Sequence, residues 1–502
     1  MTALILVAGA AGLWLAGYGL AVLLCDRPAS DAVPFERIGL ALPLGIAANS
    51  CAMFAWSWAG GSLSSTLSWS LTGIGSVVGL AVLIGQRRRV PGVRVPDSLT
   101  SPNSPLDQTV RDTSGNKLAP AGNTLARCCQ SIIAIVLVGA FVLALVTPQR
   151  FWDERAIFGI KSKVLFTDGT IYSPSLADPD FVQGHPRYPL LIPLAETHVY
   201  ALLGRIDDRW AKGIFPLLFA GLVLAYGGRL SGRFGPGAGW LFTLLLATLP
   251  LLAPYELGFI TAQGDAPVAC YHGLAVLYAW DWLRSRELAQ VESGRLSSVR
   301  RALLVGVLSA AAAFTKDEGV AHLLVGIIAL TMAWCWGWLR SRRVSESRPF
   351  RISALVQFLA VAGVTIAVLL TPWFAHRRTL PTTNEMQYFA RLSTDRLSDQ
   401  FDALSWLVPH ILTRMFREWS TWGLQWWLLL VAAVTAPRRI LRPAQLFILL
   451  EILGGIAALM VAGMVAPAEL HEHIAGSSHR YLLQLAPLAV LFAAGQWGEE
   501  AG

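Results

Sequence analysis

Residues 131–155 read SIIAIVLVGAFVLALVTPQRFWDER. The unit 130–148 carries no charged side chain and approaches the roughly 20 apolar residues a helix needs to cross a bilayer. It runs into Arg150 and then two adjacent carboxylates, Asp153 and Glu154. Working outward with the same criterion predicts spans at 3–24, 38–59, 67–85, 211–229, 237–255, 265–283, 302–315, 319–338, 352–373, 421–437, 444–466 and 481–497. With 130–148 these make about 13 transmembrane helices, an all-α polytopic membrane protein. Composition agrees. Of the 502 residues, 54% are apolar and 14% charged, against about 25% charged in soluble domains. That excludes a soluble multi-domain enzyme, a disordered chain and a secreted disulfide scaffold.

The stretch 188–204 (YPLLIPLAETHVYALLG) sets the topology. Basic residues accumulate on the cytoplasmic side, and the most basic loops are 86–129, 284–301 and 339–351. If 188–204 lies on the outer surface without crossing, all three fall inside, with the N-terminus outside and the C-terminus cytoplasmic. If it crosses, the last two face out. The net charge of +8 is thus read as a topology signal, with no nucleic-acid partner. The first helix lacks a basic leader and is read as a retained span. Three units follow: a three-helix membrane unit at 1–85, a Pro- and Ser-rich cytoplasmic linker at 86–129, and a core at 130–502. The six cysteines (Cys25, Cys51, Cys128, Cys129, Cys270, Cys335) all avoid the outer loops, so no disulfide is expected.

Two outer loops, 149–210 and 374–420, have room for chemistry. The first opens with Trp152-Asp153-Glu154, an acidic pair where a helix leaves the bilayer. It continues through an interfacial helix at 156–165 and His185-Pro186-Arg187-Tyr188-Pro189. Further along stand Gly264-Asp265-Ala266-Pro267, Phe314-Thr315-Lys316-Asp317-Glu318-Gly319 and His479-Arg480-Tyr481 through Pro487. In this order the five motifs resemble those of the GT-C glycosyltransferases, which include protein O-mannosyltransferases and the lipid A aminoarabinose transferase. The likeness covers roughly 130–497.

That resemblance implies a GT-C-like fold with interfacial helices in the first large outer loop. It implies a polyprenyl-phosphate-linked sugar donor and a glycan, lipid or protein acceptor. Transfer to the acceptor hydroxyl would occur at the periplasmic face of a bacterial inner membrane. The leaving phosphate gains charge as the glycosidic bond breaks, so preformed cations stabilise the transition state. Lys316, Arg480, Arg187, Lys161 and Lys163 are the candidates. Asp153 is the expected general base, with Glu154 orienting or replacing it, and direct displacement inverts the anomeric carbon. Trp152, His185, Tyr188, Asp265, Glu318 and His479 complete the expected substrate site.

The run Glu469-Leu470-His471-Glu472-His473, with His479, offers metal-ligand types in a polar loop, but no metal or other cofactor is assigned. Tyr388, Phe389, Phe401, Trp406, Trp419 and Trp422 are read as an interfacial aromatic belt, with stacking on a sugar or a lid over the donor as the alternative. Glu451 is the one acid deep in an apolar span, where a carboxylate is unusual. A transporter or lipid flippase is the alternative from another class. Such proteins place ionisable groups near the midplane and repeat their halves, whereas this chain concentrates charge in its outer loops.

Overall fold

The computed structural model describes residues 1–25, 33–88, 118–181, 184–252, 257–288, 295–342, 350–382, 391–466 and 470–498. Within these the chain is helical throughout, without strands. The longer elements are α1 (Thr2–Leu24), α2 (Val33–Trp58), α3 (Ser65–Arg88), α4 (Leu118–Val146), α5 (Ile160–Asp168), α6 (Leu191–Leu203), α7 (Ile214–Phe234) and α8 (Pro236–Ala247). They continue as α9 (Asp265–Glu287), α10 (Arg295–Thr315), α11 (Glu318–Ser341), α12 (Ile352–Arg377), α13 (Leu404–Arg417), α14 (Gln425–Thr435), α15 (Pro443–Val465) and α16 (Leu470–Trp497). Predictions for 89–117, Tyr388, Phe389 and Glu469 lie outside the described residues.

Among the described residues, nine helices are long and apolar enough to cross a membrane: α1 to α4, α7, α10 to α12 and α15. The protein is therefore a multi-pass membrane protein of helical bundle type. Four predicted spans differ from this set. Among the described residues of 237–255 and 421–437, the longest helices are the short α8 and α14. The other two, 265–283 and 481–497, lie in α9 and α16, which are long but more polar. Both stretches are enclosed by other helices, α9 being buried from Asp265 to Ser285 and α16 from Tyr481 to Gln496. A helix shielded from lipid needs no apolar outer face.

Tyr226 Oη on α7 donates to Gly273 O on α9 (3.0 Å). Of the first three helices, α2 packs on this centre, and α1 and α3 pack on α2 and on each other. Tyr271 Oη donates to Pro43 O (3.1 Å), and Tyr278 Oη to Glu36 (2.8 Å).

Several helices run longer than predicted, α9 and α16 among them. α4 begins at Leu118, inside the expected linker, and α10 begins at Arg295 and so includes Arg300 and Arg301. The stretch 188–204 corrects the expectation of a surface helix. α6 has only 13 residues, roughly 20 Å, and every residue from Leu191 to Leu202 is buried. Its neighbours are α1, α2, α3 and α5, and Ser50 Oγ on α2 donates to Leu191 O (2.9 Å). The amino-terminal unit covers the face that was expected to meet the interface.

Candidate functional site

Four chain segments meet at one end of the bundle. The first follows α4 and winds as a wide π-type turn, Asp153–Gly159, before α5. Such turns carry an extra residue per turn and recur at functional sites. The others are the start of α9, the turn between α10 and α11, and the third turn of α16.

Arg480 joins them. Its Nη2 contacts the Asp153 carboxylate, and its Nε donates to Asp265 Oδ2 (2.9 Å). Asp265 also accepts from Lys316 Nζ (2.8 Å) and Gln484 Nε2 (3.0 Å), and Lys316 reaches Glu318 Oε1 (2.8 Å). Asp265 is wholly buried beneath the two cations, whereas the side chains of Arg480 and Asp153 keep 23% and 15% of their surface exposed. Asp265 is thus the internal anchor and Asp153 the accessible acid. Burial alone would lower the Lys316 pKa, and Arg480 acts in the same sense. Asp265, Glu318 and Asp153 overcome both and raise it, so Lys316 stays protonated.

Close packing positions these groups. A Cβ on Gly319 would stand 2.3 Å from Ala312 O, and one on Gly264 would strike the Phe158 ring at 2.6 Å. Both positions therefore exclude larger residues at the present spacing. Asp317 faces away from Lys316 and forms a two-pronged pair with Arg377 on α12 (2.9 Å each).

Other expected site residues have different surroundings. Glu154 is buried and accepts from the N–H groups of Arg150 (2.7 Å), Phe151 (3.0 Å) and Ala262 (2.8 Å), with Lys212 at 3.6 Å. It braces the turn that carries Asp153. Lys161 is buried, with Nζ donating to the carbonyls of His185 (3.2 Å) and Tyr188 (3.4 Å). His185 adopts a left-handed φ of 44°, unusual for a non-glycine residue, and its ring stacks on Tyr188 at 4.9 Å. Burial, followed by the nearby Lys161 charge, lowers the His185 pKa. Lys163 pairs with Asp208 (2.7 Å), and Arg187 donates to Thr382 Oγ1 (3.3 Å). Trp152 is 57% exposed and borders a surface groove with Arg155, Ile160 and Phe181.

The histidine run is not a loop. His471 and His473 lie in the first turn of α16, with His471 against Trp406 (4.0 Å between rings). His479 contacts Glu418, which also pairs with Arg414 (2.5 Å). Among the described residues no group of three or more His, Cys, Asp or Glu side chains forms a metal-type cluster. Gln484 and His322 were missed by sequence reasoning. Gln484 is one helical turn beyond Arg480, a spacing that places both on one face.

The opposite end of the bundle holds a separate network. Asp281 on α9 receives Arg229 and Arg233 from α7 and Arg301 from α10, and Arg229 also reaches Glu36 (3.7 Å). Comparisons with protein-family models, curated proteins and solved structures return no match for this chain.

Proposed function

We propose that this chain is an integral-membrane glycosyltransferase of GT-C type, moving a sugar from a polyprenyl-phosphate donor to an acceptor hydroxyl. In this reading α9 and α16 are central spans, and the Asp153 end is the outer, periplasmic face. The Asp281 end, with Arg229, Arg233 and Arg301, is then cytoplasmic, as basic residues favour. The observation that carries the proposal is Arg480 bridging Asp153 and Asp265, with Lys316 on the same buried carboxylate. An accessible acid is thereby held beside two fixed cations.

As drawn, the network sets two cations against three carboxylates. A donor phosphate must therefore compete with Asp153 for Arg480 and with Glu318 for Lys316. Its arrival turns the Arg480 fork to phosphate and frees Asp153 as a base. The acceptor oxygen then bonds to the anomeric carbon from the face opposite the phosphate, its proton passes to Asp153, and the carbon–oxygen bond to phosphate breaks. Arg480 and Lys316 stabilise the added charge on the leaving phosphate. Inversion follows from a single displacement. Glu154 serves as the positioning residue.

Binding of sugar-free polyprenyl phosphate to the protein in nanodiscs tests this arrangement. Arg480→Gln should weaken binding about tenfold or more, while Asp153→Asn should tighten it by removing the competing carboxylate. Wild-type affinity in a folded Arg480→Gln variant, or weaker binding by Asp153→Asn, would contradict the phosphate site.

A further inference from the structure

A cavity of about 130 Å³ lies among α9, α10, α11, α12 and α15. Its walls are mainly alkyl, with Ala275, Ala279, Leu330 and Phe358 among them. Three ionisable side chains also line it: His272, His322 and Glu451, none more than 4% exposed. His272 Nε2, His322 Nδ1 and Glu451 Oε2 have no hydrogen-bond partner among the described residues. The imidazoles stack at 4.2 Å, and His322 Nε2 lies 2.8 Å from Gln484 Oε1. Glu451 reaches across to α11, where a Cβ on Gly326 would stand 2.8 Å from its Oε1. Ile327 on α11 and Gly363 on α12 line the cavity and are exposed, so it opens sideways between these helices onto the bilayer.

We infer that this cavity is a binding site for the hydroxyl end of a membrane lipid, a long-chain or isoprenoid alcohol entering laterally between α11 and α12. A buried polar group without a partner is costly, and three side chains that each carry one share the wall of this cavity. A hydroxyl both donates and accepts, which suits a carboxyl and an imidazole alike. Depth selects against ions. Gly326 lies about 12 Å along α11 from Glu318, and a charged head carried that far from the headgroups is penalised. A phosphate would in addition meet the Glu451 carboxyl. A plain hydrocarbon fits the walls but leaves every polar group unmet. The volume approaches that of cavities holding a benzene-sized guest, on the order of 150 Å³. The site thus takes the hydroxyl and its first carbons, and the rest of the chain stays in the bilayer. None of this depends on the transferase reading.

Photo-crosslinking of the full chain in nanodiscs with a diazirine-bearing long-chain alcohol tests the inference. Label is expected within 322–330 and 447–451. A plain alcohol should displace it at about five- to tenfold lower concentration than an alkane of equal length, the value of one buried hydrogen bond. Glu451→Gln should keep that preference and Glu451→Leu should lose it. Equal displacement by alkane and alcohol in wild type would mark an ordinary packing void. Stronger displacement by an alkylamine or fatty acid, or label elsewhere on the chain, would equally overturn the assignment. The wild-type competition decides even where a variant fails to fold.

Discussion

At the scale of single residues, Asp265 and Asp153 have opposite relations to solvent, and their substitutions should differ accordingly. Asp265→Ala leaves Lys316 and Arg480 without their shared buried partner. Loss of one member of such a group costs about 3–5 kcal/mol, so this variant should melt well below wild type in detergent. Asp153→Asn should melt near wild type. Glu196 on α6 predicts a pH effect. Burial raises its pKa to about 8. Ser162 Oγ donates to the Glu196 carboxyl, which opposes that shift without cancelling it. The folded state then holds a proton that the unfolded chain releases above its ordinary carboxyl pKa near 4.5. Stability from this group is complete below pH 4.5 and is lost as the pH climbs towards 8. Glu196→Gln should therefore melt above wild type at pH 8, and the two melting curves should converge near pH 4.5. A constant difference across that range would show that Glu196 is ionised when folded.

At the scale of elements, the turn between α10 and α11 sets where Lys316 points. Gly319→Val must push α11 off Ala312. It should cost stability in the range of overpacked cores, about 1–3 kcal/mol, and reduce sugar transfer more than Asp317→Asn does. Thermal melting and a transfer assay on both variants check this. Several helices were legible from apolar runs alone, α4 and α15 among them. α9 and α16 were placed by their apolar stretches, but their lengths were not. Their polar residues are matched by other helices, and such pairing leaves no local pattern. The first turn of α16 was read as a loop because His471, Glu472 and His473 are polar. Trp406 packs against it from α13, a partner 65 residues away that no local periodicity reveals. α6 shows the same limit, since three of the helices that bury it, α1 to α3, lie more than a hundred residues upstream.

At the scale of the whole molecule, the two charged networks divide the bundle into ends. Asp153, Asp265, Lys316 and Arg480 were each named from the sequence, yet their meeting through one arginine spans 327 positions. That contact was legible only as an expectation from motif order. The buried roles of Glu154 and Lys161 were not, because both depend on backbone groups brought in by the fold. The proposed orientation predicts that a cysteine placed at exposed Trp152 reacts with a membrane-impermeant maleimide added to intact cells. The exposed Cys128 should react only after the membrane is opened. The reverse pattern would put the Asp153 network in the cytoplasm. The central claim is tested most directly by incubating proteoliposomes with radiolabelled polyprenyl-phosphate sugars and an envelope acceptor fraction, then measuring released polyprenyl phosphate. Wild type should release it with one of these donors, and Asp153→Asn should release it at least about 100-fold more slowly while still binding donor. No release by wild type with any donor, equal release by the variant, or movement of intact donor across the bilayer would contradict it.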